Sequence, residues 1–132
     1  MFSWFEQHSK VSWVVTILIA IFIFYISSLT FAPGTGTTNL LSIIYHILIF
    51  FFFSLFLFIS SVKRNQKARR LFLLTVVISI IYAVLDELHQ HFVPGRSSSI
   101  SDIFLDSLGI LFSSVIYFIL MVYSKITGKI HK

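Results

Sequence analysis

The chain contains no cysteine, which excludes disulfides and thiolate chemistry and leaves the compartment open. It is also poor in charge. Asp, Glu, Lys and Arg together make up 11% of its 132 residues, where a soluble domain carries about 25%. Only five residues are acidic. There are two prolines. Pro33 and Pro94 are each followed by glycine, so strong chain-breaking signals occur at two places. No internal repeat and no low-complexity linker is present. What fills the sequence instead is apolar: 57% of residues are hydrophobic and the mean hydropathy is +0.93.

The apolar residues form four runs: Val11 to Thr30, Leu40 to Val62, Leu71 to Leu85 and Ile103 to Tyr123. Roughly 20 apolar residues cross a bilayer. The third run is too short unless its helix continues through Asp86, Glu87, His89 and Gln90 to about Phe92. The expectation is an all-α, integral membrane bundle of four helices near 11–30, 40–62, 71–92 and 102–123, with 1–132 as one domain. Little length remains for a separate soluble domain. Ahead of the first run, Trp4 and Phe5 stand beside Glu6, His8 and Lys10 as an interfacial lead-in. A secretory signal peptide is not expected, since Lys10 is a lone base, the run is long and no A-x-A site follows.

The net charge of +5 would point to an acidic partner in a soluble protein. Here topology accounts for it. Of the ten Lys and Arg, all but Arg96 fall on one side if there are four spans: Lys10, the 63–70 stretch KRNQKARR, and the tail with Lys125, Lys129 and Lys132. Basic flanks stay in the cytoplasm, so both termini are expected there and the segments around Pro33 and Arg96 outside. Nucleic acid is not an expected partner.

Depth then concentrates the polar groups. At 1.5 Å per residue, Asp86 lies roughly 24 Å from the cytoplasmic start of its helix. Asp102 and Asp106 open the fourth helix at that same boundary, His46 lies near the outer end of the second, and Ser27 and Ser28 end the first. The stretch Asp86 to Asp106, DELHQHFVPGRSSSISDIFLD, holds four of the five acids together with His89, His91 and Arg96. Ionisable groups in hydrocarbon are costly, and a cluster of them marks a functional site. Residues three or four apart share a helix face, which groups Ser79, Tyr82, Asp86 and His89/Gln90 on one stripe. Asp102, Asp106, Gly109 and Ser113 form another, in which Gly109 and Ser113 make a small-xxx-small pair for close helix approach.

Each residue also has a plain structural role to weigh. Ser99-x-x-Asp102 resembles a capping box. Asp106 lies one turn deeper, where no cap is needed, and requires a partner such as Arg96 or His46. Glu87 and His91 can face headgroups, His46 can be a hydrogen-bonded core histidine, and Arg96 can snorkel. Three chemistries remain open. Asp, Glu and His could hold a metal, although no tight motif such as HExxH is present. Carboxylates with a histidine could do acid–base work. Arg96 beside a helix N-terminus could hold a phosphate or carboxylate, which needs the fewest further assumptions.

The run DELHQHFVPGRSSSISDIFLDSLG resembles the signature of the VanZ-like membrane proteins, close to DExxQxFxPGRxxxxxDxxxDxxG. Asp86, Glu87, Gln90, Phe92, Pro94, Gly95, Arg96, Asp102, Asp106 and Gly109 fall on it. Tyr25 to Ser28 is similar to that family's serine motif, and His46 to its second-helix histidine. Two positions depart from the pattern: Phe50 where a tyrosine is frequent, and Ser113 where a second glycine is frequent. The resemblance implies a multi-pass protein of the bacterial cytoplasmic membrane, in contact with membrane lipids and associated with resistance to the lipoglycopeptide teicoplanin. For a binding or resistance module, the ligands to weigh at the outer leaflet are an anionic lipid headgroup, a polyprenyl-linked cell-wall precursor and the antibiotic itself. The expected ligand-binding residues are Arg96, Gln90, His89, Asp102 and Ser27. In an enzyme, Asp86, Glu87, Asp106 and His46 would carry acid–base or metal chemistry on such a lipid. A small transporter subunit is the third reading. The metal, any cofactor and the oligomeric state are left open.

Overall fold

In hydrocarbon every backbone N–H and C=O must be satisfied within the protein, and a helix does this inside a single segment. The four apolar runs accordingly form four helices in a computed structural model, which describes Trp4 and residues 8–30, 39–62, 68–96 and 98–130. They are α1 (Ser9–Ser27), α2 (Asn39–Ser61), α3 (Ala68–His91) and α4 (Ile100–Ile130). All four are long and apolar enough to cross a membrane. The glycine-rich segment around Pro33 and the bases Lys63, Arg64 and Lys67 lie outside the described residues, as do Phe5, Glu6 and Lys132.

The helix ends differ from expectation by a few residues. Helix α3 begins at Ala68 rather than Leu71 because Arg69 and Arg70 are good helix formers whose long side chains reach the interface. Helix α4 runs on to Ile130, since loss of hydropathy ends a membrane span without ending a helix. Helix α1 stops at Ser27, and the backbone N–H of Ser28 closes on the carbonyls of Phe24 and Tyr25.

Lipid tails are as apolar as leucine, so helices associate here through packing and interhelical hydrogen bonds rather than hydrophobic burial. Side-chain distribution follows from this. Leu18, Ile21, Ile81, Phe112 and Ile119 point outward, whereas Ser12, Thr16, Ser54, Thr75, Ser79 and Ser113 are buried. Cross-helix contacts set the arrangement. Tyr82 of α3 donates to the Ala20 carbonyl of α1 (2.7 Å), and Tyr117 of α4 to the Val62 carbonyl just past α2 (2.7 Å). Ser27 also meets Asp86 and His46 meets Asp106, so residue numbers rise together along each pair, and α1 and α3 are parallel, as are α2 and α4. Phe53 of α2 meets Tyr82 of α3 while Phe58 meets Phe72, which makes the two pairs antiparallel. The result is an up-down-up-down bundle with α1 and α4 diagonal to each other.

The most extensive interface joins α2 and α4. It is close because Gly109 has no side chain: a Cβ there would come within 2.9 Å of the Phe51 backbone nitrogen and closer still to the Ile47 carbonyl oxygen. One turn on, Ser113 shares a hydrogen bond with Ser54 across the interface (2.5 Å). The interior divides along its length. Phe58, Ile59, Val62 and Tyr117 form an apolar end, Ile23, Phe50, Phe53, Leu57, Ala83 and Ile110 form the middle, and the opposite end is polar.

Two outcomes test this architecture. Gly109→Ala forces two backbones apart, and overpacking of this kind costs about 1–3 kcal/mol, read as a lower melting temperature in lipid nanodiscs. Topology is tested by single cysteines, for which the cysteine-free chain is a clean background. Ser98→Cys and Thr37→Cys are expected to react with an impermeant reagent added outside cells, and Gln66→Cys only after lysis. Thr37 and Gln66 lie outside the described residues, so this expectation rests on the distribution of Lys and Arg.

Candidate functional site

The polar end is built from two clusters that share helix α3. The first joins α1 to α3. Ser27 donates to Asp86 Oδ1 (2.6 Å), and Gln90 Nε2 donates to Asp86 Oδ2 (2.9 Å) and more weakly to Ser27 Oγ (3.4 Å). Asp86 and Gln90 are four apart and thus on one face, which explains how a single turn of α3 supplies both. Each oxygen of the buried Asp86 carboxylate has a donor. Just outside, the Ser28 hydroxyl donates to the Phe24 carbonyl (2.7 Å), so His89 Nε2 donates to Ser28 Oγ (2.9 Å). The His89 ring stacks on Phe24.

The second cluster joins α2, α3 and α4. His46 Nδ1 and Asp106 Oδ1 are hydrogen-bonded at 2.9 Å, with Asp106 fully buried and His46 at 5% exposure. Of the two partners expected for Asp106, the contact is with the histidine. Glu87, 3% exposed, stands beside them. His46, Glu87 and Asp106 each offer a ligand atom within 4.8 Å of the others. Glu87 Oε2 accepts the backbone N–H of Ser99 (3.0 Å). Glu87 Oε1 and Asp106 Oδ2 are buried with no hydrogen-bond partner.

The capping arrangement at α4 is therefore not the reciprocal box. Ser99 Oγ does accept the Ser101 N–H (3.2 Å), as an N-cap should. The Ser99 N–H, which a box would give to Asp102, goes to Glu87 instead. Asp102 is only partly buried and lies within electrostatic reach of His46 and Glu87. Helix α3 ends just before Val93-Pro94-Gly95-Arg96, where the Arg96 N–H closes on the Val93 carbonyl (3.1 Å) and Gly95 has φ 80°. Proline followed by a positive-φ glycine is the type II signature. It leaves Arg96 half-buried at the mouth of the bundle, within electrostatic reach of the Tyr45 hydroxyl.

An open groove of about 330 Å³ lies between α3 and the start of α4. Val84, Leu88, Ile100 and Ile103 line its apolar part; Glu87, His91, Ser98 and Ser99 line its polar part. His91 Nδ1 and Ser98 Oγ are 3.2 Å apart across the turn.

Tyr45 was not anticipated from the sequence. Its hydroxyl is buried without a hydrogen-bond partner, and its ring meets His46 edge-on at 5.5 Å. The tyrosine expected in this region lies one turn after His46, a position held by Phe50. Phe50 is buried in the apolar middle. A phenol directly before a histidine in an apolar run was the available signal. The polar stripe of Ser12 and Thr16 on α1 was likewise unmarked.

Asp102 and Asp106 are separated by one test. Losing one member of a buried pair typically costs about 3–5 kcal/mol, because the other is left uncompensated. Asp106→Asn is expected to lower the melting temperature in nanodiscs steeply and Asp102→Asn only slightly. Equal and small shifts would mean that the His46–Asp106 contact holds nothing together.

No curated protein and no solved structure matches the chain. The VanZ/LLP1 family model matches residues 2–121, a range that takes in all of α1, α2 and α3, most of α4 and every residue of both polar clusters. With four membrane-spanning helices and that match, the chain belongs to the VanZ/LLP1 family.

Proposed function

We propose that this protein binds an anionic amphiphile at the outer leaflet, a polyprenyl-linked cell-wall precursor or a lipoglycopeptide such as teicoplanin, and lowers susceptibility to such antibiotics. One observation carries the reading: a single groove is lined both by the apolar Val84, Leu88, Ile100 and Ile103 and by the polar Glu87, His91, Ser98 and Ser99. A ligand with an apolar chain and a polar head fits that division. Arg96, on the turn above, is the base suited to an anionic head, since its guanidinium can hold two oxygens at once. The N-terminus of α4 adds a favourable dipole. Asp86, Gln90, Ser27 and His89 tie α1 to α3 beside it and keep the polar end in shape.

A second reading, favoured by the buried His46–Asp106 pair beside Glu87, is an enzyme acting on the same kind of lipid. The His46–Asp106 arrangement orients an imidazole for proton transfer. Comparing the lipids of cells with and without the protein separates the two, since only an enzyme creates or consumes a lipid species.

The binding reading is tested with the purified chain in nanodiscs, using a polyprenyl phosphate as probe and the neutral polyprenol as control. Arg96→Lys keeps the charge but loses the planar fork. It is expected to lose most binding of the phosphate while accumulating in the membrane at the wild-type level, and teicoplanin susceptibility is expected to rise in parallel. Wild-type binding by Arg96→Ala would reduce Arg96 to a snorkelling surface residue.

A further inference from the structure

We propose that His46, Glu87 and Asp106 form a binding site for one divalent cation of the Zn²⁺ type, with open coordination positions facing the groove. The three come from three helices, α2, α3 and α4, so the cluster is a product of the fold rather than of a local sequence motif. All three are buried at the polar end of a membrane bundle. Their ligand atoms lie within 4.8 Å of one another. Donors bound tetrahedrally at roughly 2.0–2.2 Å from one ion would be about 3.5 Å apart, so the three side chains close further around an ion on binding it.

The second observation is independent of that spacing. Glu87 Oε1 and Asp106 Oδ2 are both buried and both lack a hydrogen-bond partner. Their sister oxygens are already engaged, Oε2 with the Ser99 N–H (3.0 Å) and Oδ1 with His46 (2.9 Å). Native proteins satisfy nearly all buried polar atoms, and each exception asks for a partner such as an ordered water, an ion or a ligand. Two such oxygens stand in one cluster beside the His46 imidazole. Asp86 shows the contrast: a buried carboxylate on the same helix, with a donor on each oxygen.

The donor set indicates the ion. Hard cations such as Mg²⁺ and Ca²⁺ prefer oxygen alone, whereas an imidazole among carboxylates suits Zn²⁺ or a neighbouring transition metal. Three protein ligands leave a position free, as in zinc sites that engage a substrate. Glu87 belongs both to the cluster and to the groove wall, so an ion held there would present its free position to a headgroup oxygen. That bridging role rests on the amphiphile reading above; the ion site itself does not.

The test uses the full chain without a polyhistidine tag, in nanodiscs, stripped with chelator, loaded with Zn²⁺ and desalted before metal analysis. About one Zn²⁺ per chain is expected for a site of this kind. Glu87→Gln and His46→Gln are each expected to weaken Zn²⁺ binding by more than the roughly 10–100-fold typical of losing a mere supporting residue. His8→Ala, at the opposite end and stacked on Trp4, keeps full loading. Helical circular dichroism confirms that the variants are folded. A measurement free of variants stands beside these: Zn²⁺ raises the melting temperature of the wild-type chain and chelator reverses it. Arg96→Lys keeps its ion even where it loses the polyprenyl phosphate, which separates failure of the ion site from failure of the headgroup reading. Absence of stoichiometric Zn²⁺ in the wild type, or undiminished Zn²⁺ in Glu87→Gln, overturns the proposal.

Discussion

A carboxyl group with no exposed surface inside hydrocarbon must find its partners in the protein, and Asp106 finds His46 at 2.9 Å. That contact fixes more than two side chains. It sets the register of α2 against α4 at the polar end, where Gly109 lets the backbones touch and Ser54 meets Ser113 one turn further in. With α2 and α4 aligned, Glu87 of α3 can reach both the cluster and the start of α4 through the Ser99 N–H. Helix α1 then joins through Ser27 and Asp86. Each helix is thus attached at the polar end by a hydrogen bond to a buried carboxylate. At the other end, ring packing of Phe58, Phe72 and Tyr117 takes over.

The length of the apolar runs made four helices legible, and the positions of Asp86, Asp106, His46 and Ser27 along them made their common depth legible. What the sequence could not separate is one cluster from two. Asp86 and Glu87 are adjacent, so on a helix they point about 100° apart, given 3.6 residues per turn. Which of them faces α1 and which faces α4 depends on how α3 is rotated in the bundle. That rotation is set by packing, through contacts such as Tyr82 on the Ala20 carbonyl. The same limit applies to Ser99 and Asp102, whose spacing suggests a local cap. The deciding donor–acceptor pair, Ser99 with Glu87, spans the α3–α4 turn.

The interior serine and threonine stripe was harder to see for a different reason. Ser12, Thr16, Ser54 and Thr75 interrupt their apolar runs singly, and each looks neutral against so much phenylalanine and isoleucine. Several satisfy themselves locally, as when Thr16 donates to the Ser12 carbonyl (2.8 Å) and Thr75 to the Leu71 carbonyl (2.9 Å). Their small size is what matters for packing in lipid, where bulky apolar residues gain nothing by turning inward. Read in that light, the spacing of Ser12, Thr16, Ile23 and Ser27 traces the buried face of α1.

The close approach at Gly109 also divides the molecule mechanically. A helix whose backbone abuts another cannot roll in place, because any neighbouring residue brought to the contact would carry a Cβ into the Ile47 carbonyl. Helices α2 and α4 therefore act as one rigid unit, and His46 and Asp106 ride on it together. Helix α3 is held at the polar end in a different way, by hydrogen bonds through Asp86, Gln90 and His89 to the end of α1 and through Glu87 to the start of α4.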